Sequence, residues 1–246
     1  MVTQTVIHSI KLTITFFFTL ISLNTFAINE FDHRLWDELV NRHVISLNDG
    51  TSSQVNYQSL SENKQQLTQY LANLESISKN TFDTWKKNEQ LAFLLNAYNA
   101  WTVNLILTKY PDLDSIKDLG SFFQSPWKKR FIPLLGKTRS LDDIEHHLIR
   151  GSNRYNDPRI HFAANCASIG CPALRSEAFT GKMLESQLDD STRSFLKDRS
   201  RNRLRNKTLE VSSIFKWYRE DFNKGWRNKK NLPQFLAFYS NEIGLN

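Results

Sequence analysis

The segment from about Lys86 to Tyr110 is the feature of this sequence that most constrains the fold. Its apolar residues recur at steps of three and four, which is the spacing of a helical face, and Pro111 follows as a stop. We therefore predict a long helix at the centre of the hydrophobic core. The side chains that this helix should bury include Leu91, Leu95, Tyr98 and Leu105.

Shorter patterns on both sides of this helix predict a single α+β domain that is richer in helix than in strand. Ser140, with Asp143 three residues later, has the pattern of a helix N-cap. We expect one small β-sheet packed against the long helix, and it should include a strand at 159–163. The other predicted helices are 30–45, about 60–74, 140–150, 182–197, 214–222 and 233–243, and the other predicted strands are 128–134, turning at Gly136, and 208–211.

Residues 1–27 have the three parts of a secretory signal peptide. Lys11 is the only charged residue, an apolar run follows at 12–23, and small residues precede the expected cleavage after Ala27. The apolar run is too short for a bilayer-spanning helix, which needs about 20 residues. We therefore expect export to the periplasm or the exterior. The mature domain, residues 28–246, should have no stable transmembrane segment.

The charge of the chain is moderately positive. Its 32 Lys and Arg residues against 25 Asp and Glu residues give a net charge of +7, and loss of Lys11 with the signal peptide would lower it to +6. Basic residues cluster at 128–130 and at 197–207. Such clusters can bind nucleic acid or anionic surfaces, but in an exported protein solvated loops near lipid headgroups or acidic glycans are the expectation. We therefore predict no nucleic-acid partner.

The run from Ile160 to Arg175 carries the strongest chemical signal. It holds both cysteines of the chain, and His161 precedes Cys166 by five residues while Cys171 follows it by five. Thiolates and imidazoles supply nucleophiles, proton shuttles and soft metal ligands near neutral pH. We therefore expect the functional site of the protein in this run.

The first chemistry that fits this run is thiol catalysis. Cys166 is the candidate nucleophile, and His161 or His146 is the candidate base that takes its proton. Glu145 or Glu89 would then orient the imidazole. The usual pattern of thiol hydrolases, with the histidine far from the cysteine in sequence, is absent here.

A disulfide and a metal site are the other two chemistries. An oxidising compartment favours a bridge between Cys166 and Cys171, which requires Cα atoms about 4.4–6.8 Å apart. A zinc site would use His161 and both cysteines with His146 or His147, but the compact ligand pairs of zinc sites are missing. The disulfide is the favoured interpretation, and we assign no metal ligand. No nucleotide-binding, nucleophile-elbow or zinc-protease motif is present, so no cofactor is expected.

Polar residues on the long helix complete the predicted pocket. Glu89, Asn96 and Asn99 fall near one face at spacings of seven and three, in an otherwise apolar segment. We expect them to converge with Glu145 and His146 on the cysteine run, where they would bind substrate. The alternative is that they only satisfy backbone groups in nearby loops, since buried polar groups need partners in any case.

Other conspicuous residues carry less information. His33, His43 and His147 have no partner that the sequence reveals, so we expect them on the surface. Trp217 and Tyr218 belong to a helical pattern of aromatic residues and are expected to pack in the core.

Four blocks of sequence occur in order between about residues 80 and 190. The blocks are Glu89–Asn99, Phe131–Gly136, Ser140–His146 with Arg150, and Pro158–Pro172. With these blocks the chain resembles the family of the domain of unknown function 547. Leu94 and Leu95 stand where that family often carries tryptophan and isoleucine, which is a packing variation. The resemblance implies an exported protein, as in many bacterial members, and implies no particular reaction.

The sequence thus predicts an exported protein with a pocket of Glu, Asn, His and Cys residues. A hydrolase or transferase that uses acid–base or thiol chemistry is the first hypothesis. The alternative is a non-catalytic binding module of the envelope, in which a Cys166–Cys171 disulfide is structural. In both cases the expected partner is a small molecule or an envelope ligand, whose identity the sequence does not reveal.

Overall fold

The computed structural model describes residues 30–121, 123–168 and 170–245. The predicted signal peptide lies outside these residues, so its cleavage stays a prediction. Within the described part of the chain, no helix combines the length and the apolarity that a membrane span requires.

Helices dominate the described residues, and the predicted helix-rich α+β class is confirmed. The 140–150 helix is present with wide turns, as a π-helix at Asp143–Arg150. Short 3₁₀ turns occur at Asn48–Gly50, Ile116–Leu119, Pro126–Lys128 and Pro158–Phe162. The α-helices are α1 Arg34–His43, α2 Tyr57–Glu62, α3 Lys64–Glu75, α4 Lys79–Thr84, α5 Lys87–Leu107, α6 Leu184–Lys197, α7 Ile214–Trp217, α8 Arg219–Asn223, α9 Leu232–Phe238 and α10 Ser240–Ile243.

The strands form three antiparallel hairpins in the described residues instead of one shared sheet. Each hairpin closes over a short turn, and the second turns at Gly136, as predicted. The pairs are β1 Val44–Leu47 with β2 Ser52–Val55, β3 Ile132–Leu134 with β4 Lys137–Arg139, and β5 Arg203–Arg205 with β6 Thr208–Glu210.

Helix α5 is buried on all sides, which explains why apolar residues occur around its whole circumference. Helix α3 and the π-helix pack against it, and α1 packs against α3. The predicted central helix is therefore confirmed, with ends within three residues of the expected ones. The four side chains predicted to be buried are all at most 3 % exposed: Leu91, Leu95, Tyr98 and Leu105.

A second hydrophobic cluster, which we call the aromatic cluster, is built mainly from residues after 195. It includes Phe195, Phe215, Phe222 and Phe235. Phe162 joins this cluster, whereas its neighbours Ile160 and Ala163 belong to the core around α5. The 3₁₀ turn Pro158–Phe162 therefore lies where the two cores meet, and it carries His161 to that boundary.

The prediction of a strand at 159–163 is wrong, because these residues belong to the 3₁₀ turn Pro158–Phe162 and its end. Asp157 caps the turn by accepting a hydrogen bond from the Arg159 N–H at 3.0 Å, and Pro158 occupies the first position. The buried Arg159 guanidinium is paired with Asp157 at 2.6 Å and with Glu185 at 2.8 Å. Over five residues, burial alone does not distinguish a strand from a buried turn.

Two histidines expected on the surface are buried. His33 and His43 are 5 % and 1 % exposed, whereas the His147 side chain is 73 % exposed. His33 lies beside aromatic rings, and its Nδ1 is 2.7 Å from the Tyr70 hydroxyl. Burial lowers the pKa of His33 to about 3, so its ring is neutral at neutral pH.

This buried imidazole makes the stability of the protein depend on pH. In the unfolded chain His33 titrates near 6.5, so between pH 6.5 and 3 the unfolded state binds more protons than the folded state. Stability contributed by the neutral ring is present above pH 6.5 and is lost as the pH falls.

We expect protonation of His33 in the unfolded chain to lower the unfolding free energy by about 2 kcal/mol between pH 7 and pH 5. Urea unfolding of the native chain and of His33→Phe at both pH values measures this cost. The phenyl ring suits the aromatic surroundings and does not titrate, so the loss between the two pH values should be smaller in the variant. Equal losses in the two chains would contradict the assignment.

Candidate functional site

A cavity of about 110 Å³ lies between α5, the π-helix, α7 and the loop that follows the 3₁₀ turn. We call it the site cavity. It brings together three of the four predicted catalytic residues, namely Glu145, His161 and Cys166. Tyr98 and Tyr218 also line it, so carboxylate, imidazole, sulfur and phenol groups share one small space.

His161 forms a buried pair with a carboxylate that sequence reasoning missed. Its Nε2 is 2.8 Å from Asp221 Oδ2, and the two side chains are 2 % and 9 % exposed. The ring of Tyr218 stacks on the imidazole with centroids 3.8 Å apart. Burial lowers the pKa of His161, and the opposing effects of Asp221 and Glu145 do not restore it. The neutral ring therefore donates Nε2–H to Asp221 and carries its lone pair on Nδ1.

Asp221 is charged in spite of its burial. Burial opposes ionisation, but hydrogen bonds from His161, Lys224 and Arg150 outweigh it and hold the pKa of Asp221 well below its usual range. Lys224 Nζ lies 2.9 Å from Oδ1, and Arg150 Nε lies 2.5 Å from Oδ2. Two cations thus neutralise the carboxylate, which explains why it does not force a proton onto His161.

His146, the fourth predicted catalytic residue, lies beside the site cavity without lining it. Arg150 Nη1 lies 2.7 Å from its Nδ1, and the same guanidinium lies over the Tyr218 ring at 4.7 Å. The nearest oxygen of Glu145 is 3.9 Å from His146 Nδ1. The structure therefore places the histidine–carboxylate pair at His161 and Asp221, and a catalytic role for His146 stays a prediction.

Glu145 faces the two tyrosines of the site cavity. Its side chain is 12 % exposed, and its carboxylate accepts hydrogen bonds from the hydroxyls of Tyr98 and Tyr218. Burial raises the pKa of both tyrosines, and the charge of Glu145 raises it further. Both phenols are therefore neutral hydrogen-bond donors at neutral pH.

The π-helix that carries Glu145 begins as predicted and then departs from α geometry. Asp143 N donates to Ser140 Oγ at 3.0 Å and Ser140 N donates to the Asp143 carboxylate at 2.9 Å, so the predicted N-cap is confirmed. Further on, Gly151 N donates to the carbonyl of His146, five residues earlier. Wide turns of this kind are rare and occur frequently at functional sites. Because a π-helical turn contains more residues than an α-helical turn, the side chains point in other directions than an α-helical sequence pattern predicts.

The two cysteines form a disulfide, as predicted, with Cα atoms 5.9 Å apart. Cys166 is half-buried and Cys171 is 7 % exposed, and both line the site cavity. Ser168 N donates to Cys171 Sγ at 3.3 Å. In this bridged state Cys166 has no thiol to act as a nucleophile, so its catalytic role stays a prediction that requires reduction.

A metal site has no support in the described residues. They contain no group of three or more histidine, cysteine, aspartate and glutamate side chains placed to hold a metal ion.

The two asparagines of α5 bind backbone groups. Asn99 Nδ2 donates to the Ala163 carbonyl at 3.0 Å, and its Oδ1 accepts from Asn165 N at 2.9 Å. Asn96 makes the same pair of bonds to the carbonyl and the N–H of Phe179, at 2.7 and 2.9 Å. Asn99 therefore fixes the chain just before the disulfide, and a substrate-binding role for either residue stays a prediction.

Glu89 lies in the first turn of α5, about 14 Å of helix rise from Tyr98. Its carboxylate occupies the space that a Cβ at Gly181 would fill. Burial and then the charge of Glu30 raise the pKa of Glu89, although the Gly181 N–H donates to it. The structure does not bring Glu89 to the site cavity.

Sequence reasoning missed the contribution of α7 and α8. Trp217 lines the site cavity and is 69 % exposed, so its expected place in the core is wrong, and Tyr218 is half-buried. Asp221 follows Tyr218 by three residues, and both it and the adjacent Phe222 are buried. The signal in the sequence was a carboxylate, Asp221, directly beside the aromatic residues that were expected to be buried.

Comparison with known proteins gives a family and no activity. Residues 82–196 match the family described as "Protein of unknown function, DUF547". The match confirms the predicted resemblance over that segment. The segment contains Glu145, His161 and both cysteines, whereas Asp221 lies beyond it. No curated protein and no solved structure matches the chain.

Asn99→Asp tests how strongly Asn99 holds the loop before the disulfide. Aspartate keeps the oxygen that accepts from Asn165 N, but places a second oxygen against the Ala163 carbonyl. We expect the unfolding free energy at pH 7 to fall by about 2 kcal/mol or more, measured by urea titration.

The matched control is Asn104→Asp, at a half-buried position of the same helix. It should lower the unfolding free energy by no more than about 1 kcal/mol, the cost of a negative charge in the last turn of a helix. Similar losses in the two variants would show that the Asn99 hydrogen bonds do not carry the effect.

Proposed function

We propose that this member of the DUF547 family is an exported hydrolase or transferase that uses acid–base chemistry in the site cavity. The observation that carries the proposal is the buried His161–Asp221 pair, 2.8 Å between Nε2 and Oδ2, on a cavity that Glu145 also lines. A general base must be unprotonated, which for histidine means neutral, and it must be oriented and able to reach the proton that it removes. The substrate class is a small molecule or an envelope component.

His161 is suited to take a proton from water or from a substrate hydroxyl through Nδ1. Its pKa is lowered by burial, so the ring is neutral at neutral pH. When Nδ1 takes a proton, the positive charge forms beside the Asp221 carboxylate, which stabilises it. Arg150 and Lys224 keep that carboxylate ionised.

The tyrosines supply hydrogen-bond donors to the same space. Tyr98 and Tyr218 donate to Glu145 in this structure, and burial keeps both phenols protonated. A substrate oxygen that enters the cavity and gains negative charge would meet these donors, which is the usual way to stabilise such charge. Trp217, exposed at the cavity, adds an apolar surface for the remainder of the substrate.

A non-catalytic binding module is the second candidate, and two observations favour it. Cys166 is bridged, and both asparagines of α5 already bind backbone groups. In that case the site cavity would bind a ligand without turnover.

Turnover of chromogenic probes separates the two candidates. We expect the purified mature protein to release nitrophenol or nitroaniline from at least one of a nitrophenyl ester, a peptide nitroanilide and a nitrophenyl glycoside. His161→Gln should lower kcat/KM by about 10²- to 10⁴-fold, the usual contribution of a general base. His147→Gln, at an exposed position of the π-helix, is the matched control and should match the native chain. Saturable binding without turnover would favour the binding module.

The pH profile of the active probe adds an independent readout. Because the pKa of His161 is lowered, activity should decline only below pH 6.5. Asp221→Asn removes the charge that stabilises the protonated ring, so the decline should move to still lower pH while the maximum rate falls. A decline centred above pH 7 would assign the base to another group.

Export is the remaining part of the proposal. We expect intact-mass analysis of protein from the envelope or the medium to give an N-terminus at Ile28, because Ala27 ends the predicted cleavage site. A cytoplasmic product that begins at Met1 would contradict it.

A further inference from the structure

We propose that the Cys166–Cys171 disulfide is a redox site, in which a dithiol reductant attacks Cys166 and so delivers a thiol nucleophile to the site cavity. The redox step is independent of the proposed function, whereas the use of the thiol rests on it. Three observations support the proposal: hydrogen bonds hold the loop besides the disulfide, the two cysteines differ in exposure, and the sulfur of the less exposed cysteine has a hydrogen-bond donor.

Hydrogen bonds already close the loop that the disulfide spans. Asn165, just before the first cysteine, donates through Nδ2 to the carbonyl of Pro172, just after the second, at 2.7 Å. Within the loop, Asn165 Oδ1 accepts from Ala167 N, and Cys171 N donates to the carbonyl of Ser168. Because the Asn165 side chain joins the same two ends as the sulfurs, the disulfide is redundant as a brace.

Outside contacts hold both ends of the loop as well. Asn99 accepts from Asn165 N on one side. On the other side, Arg201 Nη1 donates to the carbonyl of Cys171 at 2.7 Å, and Arg201 is paired with Asp198 at 2.9 Å. A loop fixed in this way keeps its shape when the sulfur–sulfur bond is broken.

The two sulfurs are not equivalent toward a thiol. Cys166 is half-buried and lines the site cavity, whereas Cys171 is 7 % exposed. Access and the stability of the departing thiolate decide which sulfur is attacked. Ser168 N, 3.3 Å from Cys171 Sγ, would stabilise a thiolate there. Both factors select Cys166 as the sulfur attacked and Cys171 as the one that leaves.

The exchange then proceeds in two steps. A thiolate of the reductant bonds to Cys166 Sγ, the Cys166–Cys171 bond breaks, and Cys171 leaves as a thiolate. The second thiol of the reductant attacks its own sulfur in the mixed disulfide, and Cys166 leaves. The reductant is oxidised to a disulfide and the protein gains two electrons and two protons. Cys166 can then give its proton to His161, which lines the same cavity.

Glutathione and dithiothreitol are the probes for the redox step, applied to the folded mature protein. After brief exposure to glutathione and an acid quench, peptide mass mapping should find glutathione on Cys166 and an unmodified thiol at Cys171. In single-cysteine variants, iodoacetamide should alkylate Cys166 in Cys171→Ser at least tenfold faster than Cys171 in Cys166→Ser. Glutathione on Cys171, or a disulfide that resists dithiothreitol until the protein unfolds, would overturn the proposal.

Thermal unfolding tests whether the brace is redundant. Reduction should lower Tm by less than about 4 °C in the native chain. In Asn165→Ala, where the hydrogen-bonded brace is removed, reduction should lower Tm clearly more. A large fall in the native chain, with no further effect of Asn165→Ala, would show that the disulfide is structural.

Turnover of the active probe tests the use of the thiol. Reduction by dithiothreitol should raise the rate of the native chain at least tenfold, whereas the rate of Cys166→Ser should not respond to dithiothreitol. No increase on reduction would overturn the nucleophile step while glutathione mapping still decides the redox step. Failure of the proposed function is recognised separately: if the proposed function is wrong, His161→Gln does not change the turnover rate of the oxidised protein.

Discussion

The buried carboxylate of Asp221 is the interaction on which the arrangement of the site depends. It lies on α8 next to Phe222 of the aromatic cluster, and its partners His161 and Arg150 come from the 3₁₀ turn and the π-helix. One charged group thus ties the C-terminal helices to the core around α5. An ionised carboxylate is costly to bury without such partners, so the same contacts that keep it charged also fix the imidazole.

The parts of this fold that could be predicted from the sequence are those decided by local pattern. Helix α5 carries apolar residues at steps of three and four along its length, so its place in the core follows from the local pattern. The Ser140 cap depends on two residues three apart, and the disulfide on two cysteines joined by a short loop. In each case the decisive atoms are close together in sequence, and no knowledge of the tertiary packing is needed.

The parts that could not be predicted depend on contacts between distant segments. Asp221 is 60 residues from its partner His161, and the sequence around either residue does not predict that the two side chains pair. The π-helix departs from the regular spacing on which helical patterns rest. The polar residues of α5 were recognisable, but whether Asn99 faces a ligand or the Ala163 backbone depends on where a loop 64 residues away lies.

Because Asp221 lies beyond residue 196, the segment that matches the family is shorter than the segment that packs together in the structure. The family segment ends at residue 196, inside α6. A fragment cut there would leave Phe162 and Phe195 without the rings of Phe215 and Phe222 that cover them, and would leave Arg150 without its carboxylate. Boundaries for expressing or aligning this kind of domain should therefore be drawn beyond α10, whose Ile243 still packs in the aromatic cluster, and not where the similarity ends.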